Sequence, residues 1–161
     1  MFDQASSSIL CVIDLSDSSL QAVQWAIPLA LKEGMHISVL HPYRLNQLKK
    51  KQDAVQSKNE IDREASDKFR KVAEGLLKSN NISFDFRSEV GFLHDRIREH
   101  ARKQRMALLV ICKNLAINNP ESLQELIKEM DVPTVIVPQS KELMLGTGRA
   151  AGQVQARGLN Q

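Results

Sequence analysis

The sequence predicts a single α/β domain in which a five-stranded parallel sheet lies between layers of helices. Five short apolar segments alternate with longer segments whose apolar residues recur at helical spacing. The length of 161 residues is typical of one domain, and 42% hydrophobic with 25% charged residues is an ordinary globular composition. Because strands that alternate with helices in one domain form parallel sheets covered on both faces, we expect a three-layer, doubly wound architecture.

The first apolar segment, residues 8–14, is too short for a helix and is rich in β-branched residues, so it predicts a strand buried on both faces. Ser16 or Asp17 follows as a candidate N-cap, because a side-chain oxygen there can accept from free N–H groups of a helix. The helix that follows is expected to end at Gly34, since glycine tolerates the left-handed conformation beyond a helix end.

A second strand is predicted at residues 37–41, and a charged stretch follows it up to about residue 56. Ser57 and Glu60 have the spacing of a capping box, which predicts a helix start there and an end near Asn80. A third strand follows, because apolar and polar residues alternate from residue 82 to 86.

The second half of the chain continues the alternation. Residues 107–112 predict a fourth, central strand, because the segment is wholly apolar. Asn119 and Pro120 predict the start of a helix that buries Ile127 among its apolar residues. Pro133 and Pro138 bracket a fifth strand and favour an edge position for it. Residues 141–161 hold four of the seven glycines, so we expect a domain over residues 1–140 and a flexible or peripheral tail.

Composition and charge restrict the partners. No apolar run approaches the ~20 residues that span a bilayer, and the first residues lack the pattern of a secretory signal. Lys and Arg total 22 against 19 Asp and Glu, a net charge of +3, to which residues 141–161 contribute three basic residues against one acidic residue. We therefore expect a cytoplasmic protein that binds neither membranes nor nucleic acid.

Two cysteines, Cys11 and Cys112, lie inside predicted strands. We expect two buried, reduced thiols, since intracellular cysteines in apolar segments act as small hydrophobic side chains. His, Cys, Asp and Glu show no metal-ligand spacing around them, so no metal site is expected.

Ligands of doubly wound sheets bind beyond the carboxyl ends of the strands, where the strand order reverses. The candidate residues at these ends are Asp14 and Ser16 after the first strand, His41 at the end of the second, and Lys113 and Asn114 after the fourth. If the first and fourth strands are neighbours, Asp14 and Lys113 face one crevice.

Each candidate also has a purely structural interpretation. Asp14 either accepts hydrogen bonds from a base or ribose, or is satisfied by the start of the following helix. His41 is either an acid–base group or a packed residue, and Lys113 either contacts a phosphate or is an exposed lysine. No nucleophile can be paired with a base along the sequence, so we predict no catalytic residues and no enzyme activity.

Taken together, the segments resemble the universal stress protein family from about residue 8 to 138. Asp14 and Ser16 match its Asp-x-Ser turn, Leu40 and His41 its second-strand pair, and Gly91 its third-strand exit. Residues 109–111 and 133–137 are similar to its fourth and fifth strands. The resemblance implies a sheet of the adenine nucleotide alpha hydrolase-like type with strand order 3-2-1-4-5, and a homodimer formed through the edge strand.

One branch of that family binds ATP through an Asp after the first strand, main-chain groups after the second, and a loop of the form Gly-x2-Gly-x9-Gly-Ser/Thr after the fourth. Asp14 matches the first of these. The loop has no counterpart, because no glycine stands between Gly91 and Gly146, and Pro42 has no N–H to offer an adenine edge. This pattern predicts a divergent member that does not hold ATP in the family's manner.

Three functional hypotheses follow. The first is a non-enzymatic stress-response or regulatory module without a cofactor, which acts through protein contacts and pairs as a homodimer through the strand between Pro133 and Pro138. The second is a protein that binds ATP, AMP or another small ligand at a rebuilt site near Asp14 and Lys113. The third, a hydrolase or flavin-carrying relative, is disfavoured by the missing nucleophile and the missing glycine-rich loop.

Overall fold

The computed structural model describes residues 7–44, 51–78, 80–118 and 120–138, with the side chains of 51–56, 117, 118, 120 and 122 excepted. Expectations for the first six residues, for residues 45–50, for Asn119 and for the tail at 141–161 lie outside these ranges. In the part of the chain that is described, no helix is both long and apolar enough to cross a membrane.

Strands and helices alternate along the described chain, as predicted. They are β1 (Ser7–Val12), α1 (Gln21–Glu33), β2 (His36–Tyr43), α2 (Lys51–Ala73) with a π-helical turn (Glu74–Lys78), β3 (Phe84–Val90), α3 (Leu93–Lys103), β4 (Arg105–Cys112), α4 (Lys113–Asn118), α5 (Pro120–Glu129) and β5 (Thr134–Val137). The strands form one five-stranded sheet in the order β3-β2-β1-β4-β5, and every neighbouring pair is parallel. The predicted fold class and strand order are confirmed.

Two apolar clusters cover the two faces of the sheet, because successive residues of a strand point to opposite faces. On one face, α1 and α2 pack against alternate residues of the central strands, such as Ile9 and Val110. On the other face, α3, α4 and α5 pack against the residues in between, such as Leu10 and Leu109. All six residues of β1 are buried, which confirms the burial on both faces predicted for that strand.

The second helix begins before its predicted start. It begins at Lys51, so Ser57 and Glu60 lie inside it, and the capping-box prediction is wrong. The charged residues from 51 to 56 include no glycine or proline, so nothing in them prevents the helix from forming.

Three other boundaries or burial predictions need correction. The first helix begins at Gln21, and Leu20 at its N-cap makes no side-chain capping bond, so neither Ser16 nor Asp17 caps it directly. Ile127 is 53% exposed, because it lies at the margin of the stripe formed by Leu123 and Leu126. Helix α4 is present where the sequence predicted only a connection.

Candidate functional site

The predicted site residues lie at one edge of the sheet. Val12 of β1 is in register with Leu40 of β2 on one side and with Ile111 of β4 on the other. The parallel strands therefore end together, and Asp14, His41 and Lys113 follow at the same edge. This is also where the strand order reverses, since β1 lies between β2 and β4. Asp14 and Lys113 follow neighbouring strands, and that they face one crevice stays a prediction.

Asp14 and Ser16 form a tight turn after β1. The Oδ1 atom of Asp14 accepts from the Ser16 backbone N at 2.9 Å and from the Ser16 hydroxyl at 2.6 Å. The buried Ser19 hydroxyl accepts from the Asp14 backbone N at 3.1 Å and donates to the Ser16 carbonyl at 3.0 Å. These bonds hold Leu15 at a φ of 69°, a left-handed conformation that is uncommon for a non-glycine residue.

The local turn also determines the charge of Asp14. Burial alone would raise the pKa of this carboxyl, but the hydrogen bonds from the Ser16 hydroxyl and backbone N outweigh burial and lower it. Asp14 is therefore a carboxylate at neutral pH, and its residue remains exposed at the edge of the sheet. The turn satisfies part of its hydrogen-bonding capacity, while Ser16 is committed to the turn.

His41 lies beside Asp14 at the end of β2. Its Nδ1 atom is 2.9 Å from the hydroxyl oxygen of Ser88 on β3, and its ring stacks on Tyr43 with centroids 5.5 Å apart. Only 9% of the residue is exposed. Burial lowers the pKa of His41, while the charges of Asp14 and Asp62 act in the opposite direction without reversing the shift. His41 is therefore neutral at pH 7.

Asp62 of α2 is the centre of a hydrogen-bond network that ties this helix to the carboxyl edge. Its Oδ1 atom accepts from the Tyr43 hydroxyl at 2.7 Å, and its Oδ2 atom accepts from the Lys58 ammonium group at 2.7 Å. Burial would raise the pKa of Asp62, but the side chains of Lys58, Tyr43 and Ser88 together lower it. Burial, and then the hydrogen bond to Asp62 and its charge, raise the pKa of Tyr43.

We expect Asp62→Asn to destabilise the fold by about 1 kcal/mol at pH 7, because one charge-assisted hydrogen bond is lost and others weaken. The folded-state pKa of Asp62 lies below its ordinary value of 3.8, so the stabilising effect is complete above that value. As the pH falls through the lowered pKa, the carboxylate becomes protonated and the difference between variant and parent disappears. Urea unfolding at pH 7 and at pH 3 measures this.

Asp67→Asn is the matched control for that experiment. Asp67 lies on the same helix and pairs with Arg70 at 2.7 Å, but both side chains are more than half exposed. Exposed pairs contribute ~0–1 kcal/mol, so this control should be close to neutral at both pH values. An Asp62→Asn effect that is equally large at pH 3 would contradict the assignment.

The outer end of this edge is formed by Gly91 and Phe92, which follow β3. The Gly91 backbone N donates to the Tyr43 carbonyl at 2.8 Å, and its φ of 147° is a conformation that side-chain-bearing residues rarely adopt. Phe92 is 47% exposed, and the guanidinium carbon of Arg44 lies 3.8 Å from its ring centroid. This cation–π contact joins the ends of β2 and β3.

A helix, and not a loop, follows β4. β4 ends at Cys112 and α4 begins at Lys113, so the helix follows the strand without a connecting residue. Ala116 of α4 is buried in the cluster that covers this face, and Leu115 packs against it. Lys113 is exposed and Asn114 is half-buried, and the structure brings neither into a described contact with Asp14 or His41.

Both cysteines are free and buried, as predicted, and burial raises the pKa of each thiol. Among the described residues, no three His, Cys, Asp or Glu side chains are placed to share a metal ion.

A comparison with protein families finds that the model of the universal stress protein family matches residues 6–113. The chain belongs to the universal stress protein family. A comparison with curated proteins finds no match.

Solved structures of universal stress proteins have the same fold. The UspA protein from Lactobacillus plantarum is 16% identical with a TM-score of 0.64, over 82% of this chain and 97% of that one. A universal stress protein in complex with cAMP is 21% identical with a TM-score of 0.56, over 84% and 98% of the two chains. The Archaeoglobus fulgidus protein in complex with dAMP is 14% identical with a TM-score of 0.53, over 82% and 96%.

In this universal stress protein, the segment directly after β4 is the helix α4 and not a glycine-rich loop. A phosphate-binding loop of that kind needs several consecutive backbone N–H groups free to approach the ligand. The burial of Ala116 fixes α4 against the sheet, so the backbone of this segment is held by packing.

Four residues near His41 were not among the predicted site residues, namely Tyr43, Lys58, Asp62 and Ser88. One pattern could have indicated Ser88. It follows Phe84 and Phe86 at alternating positions, so it is a polar residue on the apolar face of a strand. Lys58 and Asp62 are also spaced four residues apart, which places them together on a helix.

Proposed function

We propose that this universal stress protein is a non-enzymatic, cytoplasmic stress-response or regulatory module that acts through protein contacts, first of all with a second copy of itself. The observation that supports this is the edge strand β5, which pairs with β4 on one side only within the described sheet. Its outer backbone groups are available for pairing with another strand. Ile136 on this strand is 44% exposed, although its neighbour Val137 is buried.

Light scattering of the full chain tests the homodimer. We expect a particle of twice the 18.1 kDa chain mass. Ile136→Lys should weaken the dimer by at least about tenfold, because it places an unpaired ammonium group in an apolar contact. Phe92→Lys is the matched control, since Phe92 is equally exposed but lies beyond β3, at the opposite edge of the sheet. A parent protein that stays at the chain mass at high concentration would contradict the proposal.

The second candidate function is the binding of a nucleotide or another small ligand at the carboxyl edge. It is favoured by the exposed Asp14 carboxylate beside the neutral His41 at the strand-order reversal. Proteins of similar fold have been solved in complex with cAMP and with dAMP. A site rebuilt around Asp14 and Lys113 would lack the family's glycine-rich loop.

Calorimetry with ATP and AMP tests whether additional phosphate groups increase the affinity of such a site. We expect ATP to bind no more tightly than AMP, because each missing hydrogen bond to a phosphate forgoes ~1.5–3 kcal/mol. Asp14→Ala is compared with Asp17→Ala, which removes an exposed carboxylate from the same turn. Sub-millimolar ATP affinity that is abolished by Asp14→Ala but not by Asp17→Ala would show that the family's binding mode survives here.

A further inference from the structure

Hydrogen bonds join three side chains at the amino edge of the sheet, where β2 and β3 begin. Ile37 is in register with Phe84, so the residues that precede them, His36 and Ser83, are neighbours. Ser83 and Asp85 are two positions apart and therefore point to the same face. The imidazole of His36 lies between them. Its Nδ1 atom is 2.7 Å from the Ser83 hydroxyl oxygen, and its Nε2 atom is 2.6 Å from Oδ1 of Asp85.

Asp85 determines the direction of both hydrogen bonds. Burial would raise the pKa of its carboxyl, but hydrogen bonds from His36 and Ser38 and the charges of His36 and Arg87 outweigh burial and lower it. The buried Ser38 hydroxyl donates to Oδ1 at 2.8 Å, and Nε of Arg87 lies 3.5 Å from Oδ2. A carboxylate only accepts hydrogen bonds, so the bond to Asp85 places a proton on Nε2 of His36.

The other ring nitrogen of His36 is then an acceptor for Ser83. A neutral imidazole with its proton on Nε2 has a lone pair on Nδ1, so the Ser83 hydroxyl group donates to it. A hydroxyl, a base that accepts its proton and a carboxylate that orients the base are the parts of an activated nucleophile. The two ring nitrogens exchange the positions that they have in the usual Ser-His-Asp arrangement.

Ser83 is also accessible. The residue is exposed, and 32% of the His36 side chain is exposed beside it, so a small molecule reaches the hydroxyl oxygen directly. His41, the histidine that contacts Ser88 at the carboxyl edge, is buried by comparison. The sequence analysis paired no nucleophile with a base because His36 and Ser83 are 47 positions apart along the chain.

We propose that Ser83 is a nucleophilic serine that takes an acyl group from an activated carboxylic ester, with His36 as its base and Asp85 as the positioning residue. The Ser83 oxygen bonds to the carbonyl carbon, and its proton passes to Nδ1 of His36. The bond between the carbonyl carbon and the leaving oxygen then breaks, and the leaving group departs as an alcohol with that proton. The product is an ester of Ser83. This inference goes beyond the function in protein contacts, since it assigns a covalent modification site at the edge opposite Asp14.

Acetylation of the full-length protein by p-nitrophenyl acetate tests the proposal, with each serine followed by peptide mass spectrometry. We expect Ser83 to be acetylated about 100-fold faster than Ser16, because a positioned base contributes ~10²–10⁴-fold. Ser16 is the matched control within the same molecule. It is also exposed, but its hydroxyl donates to the Asp14 carboxylate at 2.6 Å and to no imidazole. Equal rates at the two serines would overturn the proposal, and this comparison needs no variant to fold.

His36→Gln tests the base, since glutamine cannot take up the proton of Ser83. The rate at Ser83 should fall to about that at Ser16, whereas the rate at Ser16 should not change. His94→Gln is the control variant, because it removes a histidine that pairs with a different carboxylate, Asp95 at 3.4 Å. It should leave the rate at Ser83 unchanged. A His36→Gln protein in which Ser83 reacts as fast as in the parent protein would overturn the role of His36.

Asp85→Asn tests the positioning residue by two measurements. The rate at Ser83 should fall at least about tenfold, because an amide binds the N–H of His36 more weakly than a carboxylate does. Nitrogen NMR at slightly alkaline pH should place the His36 proton on Nε2 in the parent protein, with a weaker preference in Asp85→Asn, a change that loss of packing alone would not produce. A proton on Nδ1 of His36 in the parent protein, or an unchanged Ser83 rate in Asp85→Asn, would contradict this assignment.

Discussion

Phe69→Ala is expected to lower the free energy of unfolding by about 3–5 kcal/mol, the usual cost of removing a buried aromatic ring. Phe69 is only 2% exposed and lies on the inner face of α2. It stacks on Phe86 with centroids 4.6 Å apart and meets Phe84 edge-on at 6.2 Å. Through these contacts α2 covers the outer strand β3. Alanine would therefore leave a cavity between this helix and the sheet.

Phe92→Ala is the control for this prediction, because it deletes the same ring at an exposed position. Its loss removes mainly the contact with Arg44, so we expect a change below about 1 kcal/mol. Urea unfolding measures the free energy of unfolding of both variants, with the same dependence on urea concentration assumed for both. Similar effects for the two rings would mean that α2 does not depend on the aromatic cluster of Phe69, Phe84 and Phe86.

Gly91→Ala is expected to destabilise the protein by about 1–3 kcal/mol, because its φ of 147° is strained for any residue with a Cβ atom. The new Cβ atom would also lie 3.0 Å from Nε of Arg96, so that side chain would have to move. The Gly91 backbone N donates to the Tyr43 carbonyl, and a shift here would therefore disturb the network of Tyr43 and Asp62 as well.

Gly75→Ala is the matched control, and its expected effect has the opposite sign. A Cβ atom at Gly75 would meet nothing within 4 Å, and Gly75 lies in the π-helical turn at Glu74–Lys78. Alanine should therefore stabilise the protein by up to about 1 kcal/mol, because it lowers the conformational entropy of the unfolded chain. Thermal unfolding of both variants measures the difference. If both substitutions stabilise, the conformation of Gly91 is not the strained one described above.

The fold could be predicted because the strands have local signatures, namely apolar segments in β1, β4 and β5 and alternating apolar and polar residues in β3. In β1 and β4 the apolar run is long enough to demand burial on both faces, and burial on both faces in an α/β chain requires central, parallel strands. The bracketing of β5 by Pro133 and Pro138 placed it at the edge for a similarly local reason. The strand order came from the family resemblance rather than from these patterns.

The site could be predicted only in part. The end of a strand is visible within one segment of sequence, whereas hydrogen-bond partners come from segments far apart in the sequence. Asp14 and His41 could be placed at one edge from the sheet rule alone. Ser88, however, reaches His41 from a neighbouring strand, Asp62 reaches Tyr43 from a helix, and no spacing along the chain links them. Helix α4 was missed because its six residues are too few to show a helical repeat.

No connecting residue separates β4 from α4 at the carboxyl edge of the sheet. Lys113 begins the helix one residue after the strand ends, and Ala116 is already part of the interior. Exchanging Ala116 for glycine would loosen the interior, since each glycine in a helix costs ~1 kcal/mol. A longer loop at this edge would require inserted residues, so the packing of α4 and the length of backbone free to meet a ligand compete for the same short stretch of chain.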